Sequence, residues 1–356
     1  MNKVWDFVIT GGPCGGKTTG LSKLEQTFSE KGYKVIIVAE TATEVIISGI
    51  VPPEISVKEF QRVIIERGLN KEKTTREAAK HFKKDVIIFW DRGILDSKAY
   101  MEHKDFITIL KKHKLSEIQV RDKYDAVFHL VTAAIGAKEK YTKANNKARR
   151  ETVEEAVEAD RRTRDAWTGH PHLRVIDNST GFNDKIDRLI KEVFVTMGIP
   201  TPIETERKFL VKLPSQELLN KNHAVKSNIV QTYLKRDHPK VERRVRQRGI
   251  DGEFSYYYTE KRQLSECSRE EVERRISQHE YIAYLVEGIT TLRKDRYCFF
   301  YDNQYFELDV YPDWNDEAIL EIELTEEGQE VKIPDWITVI KEVTGDNRYS
   351  NVNLAK

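Results

Sequence analysis

Short apolar runs alternate with longer stretches of helical periodicity through the first half of the chain. Trp5-Asp-Phe-Val-Ile-Thr10, Lys34-Val-Ile-Ile-Val-Ala39, Val86-Ile-Ile-Phe-Trp90, Ala126-Val-Phe-His-Leu-Val131 and Arg174-Val-Ile176 read as strands. Amphipathic runs from Lys17 to about Lys31, over 57–67, over 151–167 and from near Phe182 read as helices. Such alternation predicts a parallel sheet with helices on both faces. The pattern then changes. From Glu204 onward, charged residues recur at every second position with apolar residues between them, as in Arg244-Val-Arg246, Glu307-Leu-Asp309 and Glu321-Ile-Glu323. Side chains alternate faces along a strand, so each such stretch puts its charges on one face and its apolar groups on the other. The charged face is either solvated or lines a cavity. Its repetition along Glu204-Thr-Glu-Arg-Lys208, Lys294-Asp-Arg296 and the three stretches above predicts an inside-out, closed antiparallel barrel with a polar interior. Glu271-Val-Glu273 carries the same spacing, as a strand or as the start of a helix into Ser277.

The proline-stiffened stretch Met197-Gly-Ile-Pro-Thr-Pro202 separates the two patterns. We expect a P-loop nucleotide-binding domain over 1–198, a linker over 199–202 and a tunnel domain over 203–356. The fold class expected is α/β followed by mainly β.

Composition narrows the class. The chain has 356 residues, 39% hydrophobic and 33% charged, with no apolar run near membrane-spanning length. The N-terminus enters a strand directly and has no signal-peptide apolar core. Three widely spaced cysteines, Cys14, Cys267 and Cys298, form no disulfide framework, so a reducing cytoplasmic setting is expected. The net charge of +1 divides into 35 basic against 29 acidic residues over 1–199, and 24 against 29 over 200–356. Neither part is basic enough to argue for an extended nucleic-acid partner.

Candidate chemistry starts at Gly11-Gly-Pro-Cys-Gly-Gly-Lys-Thr18, which fits G-x-x-x-x-G-K-S/T between a strand and a helix. Gly11, Gly12, Gly15 and Gly16 let backbone N–H groups curl around a phosphate. Lys17 reaches the terminal phosphates, Thr18 offers a hydroxyl to Mg²⁺, and Thr19 continues the loop. Asp91, ending the third apolar run, is placed to hold Mg²⁺ or its water, and Glu40, ending the second, is a candidate base. Asp177-Asn178-Ser179 either contacts a nucleotide or caps the next helix. His170 and His172 flank Pro171 and read as turn or packing residues.

In the second half, carboxylates suit Mg²⁺ or Mn²⁺, while lysines and arginines suit phosphate oxygens. A face bearing both signs therefore fits a metal–polyphosphate ligand. Such an interior is costly unless its charges are paired or a ligand occupies it.

The first half resembles the P-loop nucleoside and nucleotide kinases in Glu40, Asp91-Arg92-Gly93 and the arginine-rich stretches Lys147–Arg150 and Arg161–Arg164. There, a mobile lid supplies arginines such as Arg150 to the transferring phosphoryl group. A charged surface helix with pairs such as Glu158–Arg162 would carry the same residues. Phe60-Gln61 with Arg67 resembles a base-reading helix of deoxynucleoside kinases. The half is also similar to small AAA-type ATPases in Ala144–Arg150, Trp167–Leu173 and Ile176–Phe182. The second half resembles the CYTH, or triphosphate tunnel metalloenzyme, superfamily. The resemblance rests on the E-x-E-x-K stretch at Glu204 and on Gln231–Leu234, Arg244–Arg246, Tyr258–Lys261, Glu307–Asp309, Glu321–Glu323 and Gly345–Leu354. It implies an eight-stranded tunnel, with Glu204, Glu206, Glu321 and Glu323 toward metal. Lys208, Arg244, Arg246, Lys261, Lys294, Arg296 and Arg348 would then be directed toward phosphate. The two-domain order is similar to the TRPL-translocation-defect protein family. Together these resemblances imply a nucleotide enzyme using ATP or GTP, joined to a tunnel that binds and hydrolyses a triphosphate. The competing expectation is a nucleotide switch whose tunnel holds a phosphorylated ligand, such as a phosphoinositide headgroup, without turnover.

Overall fold

The computed structural model describes residues 2–52, 54–137, 152–199, 205–235, 238, 241–263, 269–324 and 329–355. Arg150, Glu204 and the expected linker from residue 200 onward lie outside them. The chain forms two compact units, Met1–Ile190 and Lys191–Lys356.

The first unit runs β1 (Val4–Thr10), α1 (Lys17–Glu30), β2 (Lys34–Val38), α2 (Thr41–Ile47), α3 (Val57–Ala79) and β3 (Val86–Asp91). A 3₁₀ segment (Ile94–Tyr100), α4 (His103–Lys112), α5 (Glu117–Arg121), β4 (Ala126–Leu130), α6 (Val153–Ala166), β5 (Leu173–Ile176) and α7 (Phe182–Thr196) follow, and the unit boundary falls within α7. The five strands form a parallel sheet in the order β2-β3-β1-β4-β5. β4 is buried throughout, and so are all but the first residue of β1 and the last of β3. This is why these strands read as continuous apolar runs. Phe7 is the aromatic centre, with ring centroids 5.9 Å from Phe89 and 5.7 Å from Phe128. Helix α3 extends well past the expected Arg67, because Ile65 and Gly68 and then Glu72 and Ala79 keep one side buried to its end.

In the second unit the strands are β6 (Thr205–Lys212), β7 (Val225–Leu234), β8 (Val241–Ile250), β9 (Glu253–Gln263), β10 (Arg269–Ile276), β11 (Gly288–Tyr301), β12 (Gln304–Val310), β13 (Glu317–Leu324) and β14 (Val339–Glu342). Three helices, α8 (Gln216–Lys221), α9 (Gln278–Leu285) and α10 (Asn351–Leu354), accompany them. The sheet is nine-stranded and antiparallel, in the order β10-β9-β8-β7-β11-β12-β13-β6-β14. This corrects the expected closed eight-stranded barrel: the outer strands β10 and β14 are not paired with each other among the described residues. Both are poor templates for closure. β14 has four residues, all exposed, and a register shift against β6, while β10 is dense in Arg and Glu, as protected edges are. Glu271-Val-Glu273 belongs to β10, and the following helix starts beyond Ser277, whose hydroxyl accepts from the Glu280 N–H.

The apolar face of this sheet is built from Phe209, Val211, Phe299, Phe306, Leu308, Leu320 and Ile322. Tyr258 stacks on Tyr284 of α9, and Tyr256 packs at a tilt against Tyr281. The opposite face carries the charges, so the alternation read from the sequence is realised.

Candidate functional site

In the first unit the loop after β1 is shaped by what its glycines touch. A Cβ on Gly11 (φ 137°) would fall 2.1 Å from the Leu130 carbonyl oxygen, and one on Gly15 2.5 Å from the same atom. A Cβ on Gly12 would strike the Asp160 side chain. Gly16 (φ 92°) caps α1 from the left-handed region. Asp160, on α6, is the anchor that sequence reasoning missed. It is fully buried and accepts from Gly12 N (2.8 Å) and Thr132 N (2.9 Å) and meets His129 Nε2 (3.1 Å). Burial would raise its pKa, but His129 and the two backbone donors hold it below the ordinary value. No local spacing links Asp160 to a loop nearly 150 residues earlier.

Lys17 and Thr18 open α1. Burial pushes the Lys17 ammonium down to about 8, and Arg92 adds to this, while Asp91, Glu40 and Asp96 oppose it. Burial raises the Asp91 carboxyl, and its Oδ1 is buried without a hydrogen-bond partner. A buried, unsatisfied carboxylate oxygen beside the phosphate loop fits a divalent cation or its bound water.

Glu40 is the residue before α2. It accepts from Arg92 Nε and from the Thr43 hydroxyl, both at 2.7 Å. Burial acts to raise its pKa, and the Arg92 guanidinium leads the interactions that bring it below the ordinary value. Arg92 also contacts Asp96, 3.2 Å away, which takes a hydrogen bond from the indole of Trp167. Glu40, Arg92 and Asp96 border a cavity of about 260 Å³ walled by Phe60, Ile64, Trp90 and Tyr100. The Gln61 side chain lines it, is buried, and makes no hydrogen bond within the described residues.

Other expected residues have structural duties. Arg161 pairs with Glu158 and Asp165, each at 2.7 Å, on the exposed side of α6, and Arg162 lies 3.7 Å from Glu158. Arg67 reaches Ser48 Oγ at 3.3 Å. The His170 ring is buried against the Tyr124 carbonyl and accepts from His172 N. Asp177 accepts from Ser179 and Arg188, while Asn178 donates to the Thr132 and Ile135 carbonyls.

In the second unit the strand register assembles one charged face. Glu321 of β13 lies opposite Lys208 of β6 on one side and Glu307 of β12 on the other, and Glu323 lies opposite Glu206. Arg296 of β11 lies opposite Asp309 of β12. On β8, Arg244, Arg246 and Arg248 lie opposite Thr259, Tyr257 and Ser255 of β9. Lys208 Nζ bridges Glu321 (3.0 Å) and Glu206 (3.3 Å), which raise its pKa in spite of burial. Arg296 binds Asp309 through two nitrogens, each at 2.6 Å, together with Glu321 (2.8 Å) and Glu307. Lys294 also bonds Asp309. Asp309, fully buried, is held well below the ordinary carboxylate range by Arg296 and Lys294 against the effect of burial. Two cations expected to face phosphate are therefore already neutralised by a carboxylate absent from the expected site. Arg246 pairs with Glu273 at 2.9 Å. Lys261 is half-buried on β9. Arg348 is exposed and folds onto Asp346 at 2.7 Å.

No group of three or more His, Cys, Asp or Glu side chains converges on a metal-sized position among the described residues. Glu206 and Glu323 face each other directly across two strands. Burial and the nearby Glu321 raise the Glu206 carboxyl, with Lys208 opposing. Lys208 Nζ, 3.3 Å from Glu206, already places a positive charge beside this pair.

Fold and loop together define a P-loop nucleotide-binding unit, joined in one chain to a sheet with a charged face. The AAA domain family model matches residues 6–185, and the chain belongs to that family. The chain is also 40% identical over 79 residues to an inorganic triphosphatase of Acetivibrio thermocellus, a match covering 22% of this chain. It spans about half (49%) of that curated relative. Among solved structures, an inorganic triphosphatase is 29% identical with a TM-score of 0.32, covering 44% of this chain and 95% of that one. A protein of Pyrococcus horikoshii is 19% identical with a TM-score of 0.27, covering 35% and 80%. No helix is long and apolar enough to cross a membrane among the described residues.

Proposed function

We propose that the chain couples a P-loop phosphotransferase or nucleoside triphosphatase to a metal-dependent triphosphatase, as domains 1–198 and 203–356. In the first domain the loop from Gly11 to Thr19 cradles the phosphates of ATP or GTP, and Lys17 neutralises the terminal ones. Thr18 and Asp91 would hold Mg²⁺, which when bound shields charge on the transferring phosphoryl group. The cavity bordered by Glu40 and Arg92 receives an acceptor. Its aromatic walls and the free Gln61 amide suit a planar, hydroxyl-bearing molecule, and this favours transfer over simple hydrolysis. Glu40, paired with Arg92, orients the hydroxyl. Arg150 completes the charge stabilisation.

In the second domain Glu204, Glu206, Glu321 and Glu323 would hold Mg²⁺ or Mn²⁺, and Lys208, Arg244, Arg246 and Lys261 take phosphate oxygens. Lys294, Arg296 and Arg348 complete the phosphate set once ligand competes for their carboxylate partners. The observation that carries this reading is the single face on which carboxylates and cations of neighbouring strands stand in direct register. The partial likeness to an inorganic triphosphatase supports it. The two-domain plan agrees with membership of the TRPL-translocation-defect group.

The test is phosphate release from ATP, GTP and tripolyphosphate with Mg²⁺ or Mn²⁺. Lys17→Ala should abolish only the nucleotide activity, and Glu206→Gln only tripolyphosphate hydrolysis. Tight binding of tripolyphosphate by the wild type, without phosphate release in either metal, would sink the triphosphatase half. Preferential binding of a phosphoinositide headgroup would then favour a non-catalytic tunnel.

A further inference from the structure

On the charged face, Arg248 is the cation whose two terminal nitrogens, Nη1 and Nη2, are both buried without a partner among the described residues. It is 1% exposed. Ser255, opposite it on β9, is equally buried, and its Oγ is also unpartnered. The place is fixed by the hairpin. Gly249 lets the β9 backbone approach so closely that a Cβ there would lie 1.9 Å from the Glu253 carbonyl oxygen. Asp251 (φ 54°) and Gly252 (φ 84°) form the left-handed turn between the strands.

A guanidinium does not shed its charge inside a protein. Burying it unpaired costs several kcal/mol, so an anion must compensate it. Among the described residues no carboxylate hydrogen-bonds its terminal nitrogens. Glu307, on the same face, is bound to Arg296. Cys298 and Tyr305 sense the charge of Arg248, but burial raises both groups, which keeps them neutral.

We propose that Arg248 and Ser255 form a further anion-binding position, beyond Arg246, that takes the terminal phosphoryl group of a linear polyphosphate. Arg244, Arg246 and Arg248 follow at two-residue steps, ~6.4–6.8 Å each along a strand. A single phosphate cannot meet all three, whereas an extended chain of phosphates can. The guanidinium fork binds two phosphoryl oxygens, and the Ser255 hydroxyl donates to a third. The position thus selects for chain length. The inference rests on the reading of the charged face as a triphosphate site.

The experiment is calorimetric titration of the full chain with tripolyphosphate and with pyrophosphate, with Mg²⁺ and with EDTA, beside thermal unfolding without ligand. Arg248→Met should weaken tripolyphosphate binding by ~10–100-fold, the loss of a charged hydrogen-bond pair. Pyrophosphate binding should change far less, and the ligand-free melting temperature should hold or rise, since a costly buried charge is gone. Arg248→Lys, which keeps the charge, should recover part of the affinity. A lowered melting temperature with unchanged tripolyphosphate affinity would show that Arg248 is compensated within the protein, and equal weakening of both ligands would remove the length selection. Either result overturns the proposal. Failure of the wild type to bind tripolyphosphate at all would instead defeat the underlying reading of the face.

Discussion

Replacing Asp309 with Asn tests the electrostatic account of the second unit most directly. Asp309 is fully buried and takes hydrogen bonds from both Arg296 and Lys294, so the change leaves the buried Lys294 and the half-buried Arg296 short of a charge. Glu307 and Glu321 still face Arg296, but among the described residues the Lys294 ammonium keeps the amide oxygen of Asn351, 3.1 Å away, the charge of Glu321 and whatever the new amide offers. Removing one partner of a buried pair costs roughly 3–5 kcal/mol. For a domain of this size that corresponds to roughly 6–20 °C in melting temperature. The assay is calorimetric unfolding of the full chain, following the transition of the second unit, since two units need not melt as one. Asp309→Asn combined with Lys294→Met should be less damaging than Asp309→Asn alone. The pH dependence has a definite sign. The folded pKa of Asp309 lies below its unfolded value, so its contribution is present above the unfolded value near 3.8 and is lost as pH falls below it. A loss under 1 kcal/mol, or a double variant no better than the single, would refute this view of the face as a set of interdependent charges.

Two further predictions concern the first unit. Gly11→Ala should cost roughly 1–3 kcal/mol or more and abolish nucleotide binding, because the new methyl meets the Leu130 backbone rather than a movable side chain. Retained affinity in a nucleotide titration would show that the close approach is unnecessary. Nucleotide affinity should be flat below pH 8 and weaken above it, by up to ~10-fold per pH unit, as Lys17 (pKa about 8) loses its charge in the free protein. Lys17→Arg should flatten that profile, and tightening with rising pH would contradict the assignment. Without ligand the sign reverses: the folded pKa of Lys17 lies below its ordinary 10.5, so stability should rise between pH 8 and 10.5.

The parallel sheet, the phosphate loop and the two-faced strands were legible because each is written in local spacing. Runs such as Ile87–Phe89 and pairs such as Glu321 and Glu323 announce period and face without reference to any distant residue. What could not be read is whatever depends on strand register or on contacts far apart in sequence. Asp160 gives no local sign that it holds Gly12. Glu307-Leu-Asp309 was visible as a pair, but only the register of β11 on β12 shows that Asp309 takes Arg296 and Lys294. That the outer strands β10 and β14 are not paired with each other among the described residues is of the same kind, since strand order, not local spacing, decides it. Arg161 and Arg162 looked like candidates for charge stabilisation, yet carboxylates one helical turn away already engage them.

The clasp at Asp160 bears on how this nucleotide site could be transplanted or lost. One carboxylate holds the Gly12 amide, the Thr132 amide and the His129 ring, so the octapeptide from Gly11 to Thr18 is not a self-sufficient module. Grafting those eight residues onto another strand and helix would import the sequence without the staple that sets its curvature. Conversely, a lesion in α6 that touches no phosphate would present, in a screen, as a defect of the loop itself.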